Sequence, residues 1–219
     1  MTRSGVESGS QTLARGLSAL AMIGESEPAL TVAGLAERLG IHRSMAYRLV
    51  KTLEHHGFAE RLPSGELAIG ARLVALTRGA SRDLQSAAAR ELGVLADDLG
   101  MTAFLVVYDG EAAVTLTSME PRQADAIVAQ RPGSRHGVDR GAPGRVIRSQ
   151  LDPTRFPPAR FEFSHDEVVP GLSSIAVPLS LPGHRPAAIA VVHLSRELDQ
   201  EAVATRLIAS AHRISTAVH

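Results

Sequence analysis

Five residues within little more than two helical turns have the chemistry to grip a polyanion: Arg43, Ser44, Tyr47, Arg48 and Lys51. On a helix, spacings of i, i+1, i+4, i+5 and i+8 project from one side, opposite Ala46, Leu49, Val50 and Leu53. A guanidinium can hold guanine O6 and N7 together. Ser44 and Tyr47 can donate to phosphates or base edges. Lys51, the only lysine beside 22 arginines, suits a phosphate. No acidic residue interrupts this face from Arg38 to Thr52. A lone helix of this pattern usually means a solvated surface, so its setting decides its meaning.

Other reactive side chains are less organised. The chain has nine histidines and no cysteine, which excludes disulfides, thiolate metal sites and cysteine nucleophiles. No histidine pair has the i, i+4 spacing of a helical metal site, so no metal and no cofactor is expected. His55 and His56 end a helix, where imidazole suits the dipole. Asp166 and Glu167 could do acid–base work, but no nucleophile motif or phosphate-binding glycine loop accompanies them. No catalytic residue is assigned. His193, in an apolar strand, reads either as a hydrogen-bonded core residue or as a ligand contact.

The setting is a helix, a short turn and a second helix. A first helix spans about 11–24, with Leu13, Leu17, Leu20 and Ile23 as its stripe. Thr31 can N-cap the next, where Val32, Leu35, Ala36 and Leu39 face inward. Gly40 stops it. The cationic helix follows and ends at Gly57. Phe58–Leu62 and Glu66–Ile69 then read as strands around a Pro63-Ser64-Gly65 turn. Arg61 and Ser64 add polar groups to this wing. A second helix presented ahead of a hairpin is how winged helix-turn-helix domains offer a helix to the major groove. Residues 1–10 read as a tail, 11–70 as this domain, and 71–83 as a linker helix.

Residues 84–219 have another rhythm. An apolar helix near 84–99 precedes the strands 103–108 and 111–118, joined by Asp109-Gly110. A third strand is expected over 125–130 and a short helix over 142–151. Paired strands follow at 173–181 and 187–194. A final helix covers 198–218, with Ala202, Leu207, Ile208, Ala211 and Ile214 inward. This is an α+β domain on an antiparallel sheet. The formal net charge is zero. Residues 1–82 nevertheless carry 10 Lys+Arg against 7 Asp+Glu, a balance of +3, and the remainder 13 against 16, a balance of −3. No apolar run reaches the ~18 residues of a membrane span. A soluble, cytoplasmic chain is expected, with no membrane partner.

Three stretches, "LARGLSAL", "LAERLGIHRSMAYRLVKTLEHHGFAER" and "GELAIGARLVAL", resemble the N-terminal half of IclR-type bacterial transcriptional regulators. "GMTAFLVVYDGEAAV", "GAPGRVIRSQ" and "FSHDEVVPGLSSIAVPL" are similar to parts of that family's effector-binding domain. The resemblance covers about residues 10–217. It implies a winged helix-turn-helix domain, a GAF-like effector domain, and homodimers or dimers of dimers. It also implies a double-stranded operator as partner and a small organic effector, with repression the expected polarity. Local matching places effector contacts at Ala142, Pro143, Ser164, His165, Ser174, Val191 and His193. The span Gln150–Phe163 is shorter than the family's usual one. An enzyme using the C-terminal cleft, or a C-terminal domain serving only oligomerisation, is the rival reading.

Overall fold

The structure, a computed structural model, describes residues 10–77, 82–124, 126–181, 185–194 and 197–218. Contacts divide the chain into two units, Met1–Ser81 and Arg82–His219.

In the first unit, Ser10 caps α1 (Gln11–Glu25) by accepting the Leu13 amide. Thr31 caps α2 (Val32–Leu39) through the Gly34 amide, and Gly40 closes it in the left-handed region. His42 caps α3 (Arg43–His55): its Nδ1 accepts from the Ser44 amide. The hairpin β1 (Ala59–Arg61) and β2 (Leu67–Ile69) follows, with Glu60 opposite Ala68. A bridge from Thr31 to Glu66 ties this wing to the start of α2. Leu35, Ala46, Val50 and Leu67 are buried in one cluster with Ala19 and Ile23. Each large aliphatic side chain there contributes about 1.5–3 kcal/mol. The stripe expected on α1 is corrected: Leu13 and Leu17 are 62% and 58% exposed, and Ala19 and Ile23 face the core. Of the expected linker helix, α4 (Ala71–Thr77) is described and residues 78–81 lie outside the described ones.

The second unit begins with α5 (Arg82–Leu99). Its strands are β3 (Thr102–Tyr108), β4 (Ala113–Met119), β5 (Arg135–His136), β6 (Glu162–His165), β7 (Leu172–Leu179) and β8 (Ala187–Leu194). They form one antiparallel sheet in the order β5-β4-β3-β8-β7-β6. Between the strands come α6 (Gly141–Leu151) and, after β8, α7 (Gln200–Ala217).

Alternation sorts the central strands between two cores. Leu105, Ile175, Ile189 and Val191 pack with α5 and α7. Phe104, Ala176, Ala190 and Val192 pack with α6.

Two expectations change here. Residues 126–130 form no strand, and Asp125 lies outside the described residues. Thr102 Oγ1 donates to Val128 O and Gln130 Nε2 to Thr115 Oγ1, so side chains tether this segment. The edge strand is β5, beyond the turn. On α7 the buried residues are Val203, Ala204, Leu207, Ser210, Ala211 and Ile214, so Ala202 and Ile208 point outward.

Candidate functional site

The α3 surface is built by its own burial pattern. With Ala46, Leu49 and Val50 inward, Arg43, Ser44, Tyr47, Arg48 and Lys51 are all exposed. Among the described residues, no carboxylate pairs with Arg43, Arg48 or Lys51. Several cations of the second unit are paired. Arg122 pairs with Asp97 at 2.6 Å, Arg135 with Asp109 at 2.7 Å, and Arg213 with Glu91 at 2.6 Å. Three cations without a carboxylate partner thus share the one exposed face of α3.

Four of the expected contact residues have internal partners. Ser44 Oγ lies 2.8 Å from His42 Nδ1 and belongs to the helix cap. Ser64 Oγ donates to Glu66 Oε2 at 3.0 Å, inside the wing. Arg61 Nη1 donates to Tyr47 Oη at 2.7 Å, and its guanidinium carbon lies 4.7 Å from the Tyr47 ring centroid. Glu54 stands 3.7 Å from Arg61 Nε. The Tyr47 hydrogen bond raises the Arg61 pKa above its ordinary value. As placed, Arg61 holds the Tyr47 ring against the wing, which leaves Arg43, Arg48 and Lys51 as the open cations.

The second unit encloses a cavity of about 70 Å³ between the α6 face of the sheet, the start of α6 and residues 167–169. Its apolar wall includes Phe104, Leu172 and Val192, and its polar wall Gln130, His136 and Ser174. Pro143, Ser164 and Ser174, expected as effector contacts, line it. Ala142 is fully buried in the adjoining core.

His165, Val191 and His193 lie elsewhere. Val191 and His193 share a strand face, but that face is covered by α5 and α7, away from the cavity. Across the strands His165 opposes Ser173, and Ser173 opposes His193. His165 Nδ1 is 3.0 Å from Ser173 Oγ, and its Nε2 is 3.1 Å from Asp166. Ser173 is only 3% exposed.

Among the cavity residues that were missed are Phe104, Gln130, His136, Glu167, Leu172 and Val192. Val192 has the opposite parity from Val191 and opposes Thr102 on β3.

Glu167 closes the cavity's polar corner. It accepts from the Gly141 amide at 2.9 Å and from Arg145 Nη1 at 2.7 Å, while Arg145 Nε reaches Glu162 at 2.8 Å. Partial burial pushes the Glu167 carboxyl up, but the Gly141 amide and Arg145 outweigh it and hold the pKa below the ordinary value. A depressed carboxylate stabilises the fold above its unfolded pKa of about 4.3, and this is lost as pH falls through the folded value. Glu167→Gln should therefore melt at lower temperature than the parent at neutral pH. The difference should shrink as pH is lowered below about 4 in parallel thermal melts.

A winged helix-turn-helix carrying unpaired cations, in one chain with an antiparallel α+β domain around a small cavity, defines a class of two-domain architecture. Residues 12–63 match the IclR helix-turn-helix domain family. Over 146 residues the chain is 30% identical to the HTH-type transcriptional regulator XynR of Escherichia coli, covering 64% of this chain and 57% of the relative. Over 102 residues it is 33% identical to the acetate operon repressor of Salmonella typhimurium, covering 45% and 37%. The chain thus spans less than two thirds of the length of these curated relatives. An IclR homolog complexed with 4-hydroxybenzoate, from Microbacterium hydrocarbonoxydans, has the same fold. Its TM-score is 0.78 at 19% identity, with 95% of this chain and 99% of that one covered. Residues 12–63 thus form an IclR-type helix-turn-helix domain, and the chain shares its fold with that homolog. No helix of the described residues is long and apolar enough to cross a membrane.

Proposed function

We propose that this chain is a DNA-binding transcriptional regulator, a repressor, that acts in the cytoplasm as a homodimer or dimer of dimers. A small organic molecule held in the second unit modulates its binding to operator DNA. The observation that carries this reading is the exposed face of α3, where Arg43, Arg48 and Lys51 lie together with no carboxylate partner among the described residues. The repressor of the acetate operon among its relatives supports the polarity. The test is fluorescence anisotropy with duplex DNA from beside its own coding region, across a salt titration. Binding should weaken steeply with salt, because phosphate contacts release counterions. No binding at low salt refutes the reading.

The complex of a homolog with 4-hydroxybenzoate supports a small-molecule effector. The cavity is well below the ~300–1,000 Å³ of ordinary ligand pockets. A ligand of that size therefore has to displace residues 167–169, which form part of its wall. Ser174, whose hydroxyl donates to Val191 O at 2.8 Å, is the point at which to block it. Ser174→Leu should abolish a ligand-induced rise in melting temperature in a screen of small carboxylates and phenols. It should leave operator binding by the ligand-free protein unchanged.

A further inference from the structure

We infer that the cleft between α1 and α3 is a seat for one backbone phosphate of duplex DNA, gripped by Arg15 and Arg48 from the two helices. This rests on the DNA-binding reading above and extends it to α1. The cleft has a volume of about 170 Å³ and is lined by Thr12, Arg15, Met45, Arg48, Leu49 and Thr52. Two guanidiniums therefore share one concavity whose lining includes no carboxylate.

The protein leaves both cations electrostatically open. Arg15 Nη1 rests 3.6 Å from Met45 Sδ, and a thioether is only a weak acceptor. Among the described residues, neither Arg15 nor Arg48 has an ion-pair partner. Thr52 Oγ1 donates to the Arg48 carbonyl at 2.9 Å, so its lone pairs remain free to receive a guanidinium rather than to repel one. Thr12 adds a second hydroxyl, able to donate to an anionic oxygen.

Position selects the ligand. Arg48 and Thr52 are one turn apart on α3, on the flank of the face that carries Arg43, Tyr47 and Lys51. When that face enters a major groove, the groove's phosphate wall runs along its flank. Planar guanidiniums hold a phosphate in forked geometry. Arg48 is thereby assigned to the backbone, leaving base recognition to Arg43 at the start of the helix.

The experiment measures duplex binding over a salt series for the parent, Arg15→Ala, Arg48→Ala and Arg15→Lys, each with a thermal melt to show that it is folded. Each alanine variant should lower the slope of log affinity against log salt by about one. Between roughly 50 and 200 mM salt, that variant should lose about fourfold less affinity than the parent does. The ratio of operator to scrambled-duplex affinity should stay constant, and Arg15→Lys should keep most of the slope.

A parent that binds DNA, with an Arg15→Ala variant of unchanged slope, overturns the inference while leaving the broader reading intact. An Arg48→Ala variant that changes sequence preference without changing the slope also overturns it. So does stabilisation by inorganic phosphate at matched ionic strength that depends on Arg15 while the DNA slope does not, because the seat then serves free anions. A parent with no DNA binding sinks the underlying reading instead.

Discussion

Arg43→Ala should weaken operator binding by about ten- to a hundredfold, the 1–3 kcal/mol expected for one arginine bidentate to guanine. Arg43 is the first residue of α3 and is exposed, and no described carboxylate holds it. Residues at the start of a recognition helix are those that meet base edges. The loss should be confined to one base-pair position and its symmetry mate. A binding series over single-substitution duplexes would show a flattened preference there and an unaltered one elsewhere. Lys51→Ala is the contrasting variant. Two turns further along the helix, it should weaken all duplexes alike and lower the salt slope by about one. If Arg43→Ala also lowers all duplexes equally, Arg43 is a backbone contact, and the base-reading role passes to Tyr47 or its neighbours.

Much of this face was legible because its signals are local. Thr31 and Gly40 bracket α2, Gly57 follows α3, and the apolar period between them leaves only one side for the polar residues. What the sequence did not disclose is which polar groups consume one another. The pairs Arg61–Tyr47, Ser64–Glu66 and Ser44–His42 remove four expected contacts from free availability. Each pair depends on rotamers, and Arg61–Tyr47 also on the hairpin's approach to α3, neither of which has a sequence period.

The cavity was harder to read for a different reason. β8 is apolar on both faces because helices cover both sides of its sheet. An unbroken apolar run carries no parity, so Val191 and Val192 are equivalent until the sheet is seen. α1 poses the same ambiguity. Leu13, Leu17, Leu20 and Ile23 form one apolar stripe, and only packing against α2 and α3 shows that its Ile23 end, with Ala19, enters the core. Residues 126–130 are apolar and of strand length, yet Thr102 and Gln130 side chains hold them as an irregular segment.

The largest stability effect should come from a residue that bears no chemistry at all. Gly70 sits between β2 and α4, where its amide donates to Phe58 O at 2.9 Å and the Arg72 amide donates to Gly57 O at 3.1 Å. A Cβ at Gly70 would stand 2.2 Å from Gly57 O, 2.7 Å from Gly57 C and 2.9 Å from Ala59 N. All three are backbone atoms, so no rotamer change relieves the overlap. Gly57 cannot yield easily either, since its φ of +72° is already set in the left-handed region by the exit from α3. The chain must separate β1 from the entry to α4, giving up the two hydrogen bonds. Gly70→Ala should therefore cost about 3 kcal/mol or more, at or beyond the upper end of ordinary overpacking. Gly65→Ala tests the distinction between room and conformation. Its φ is +87°, but nothing lies within 4 Å of the added carbon, so its cost is the conformational ~1–2 kcal/mol alone. Because Gly57 joins α3 to the wing, Gly70→Ala should also displace the end of α3 and reduce DNA binding, whereas Gly65→Ala should alter only the turn. Urea melts of the two variants, read beside their anisotropy titrations, separate the cases. Equal melts would mean that the backbone approach at Gly70 is looser than 2.2 Å implies.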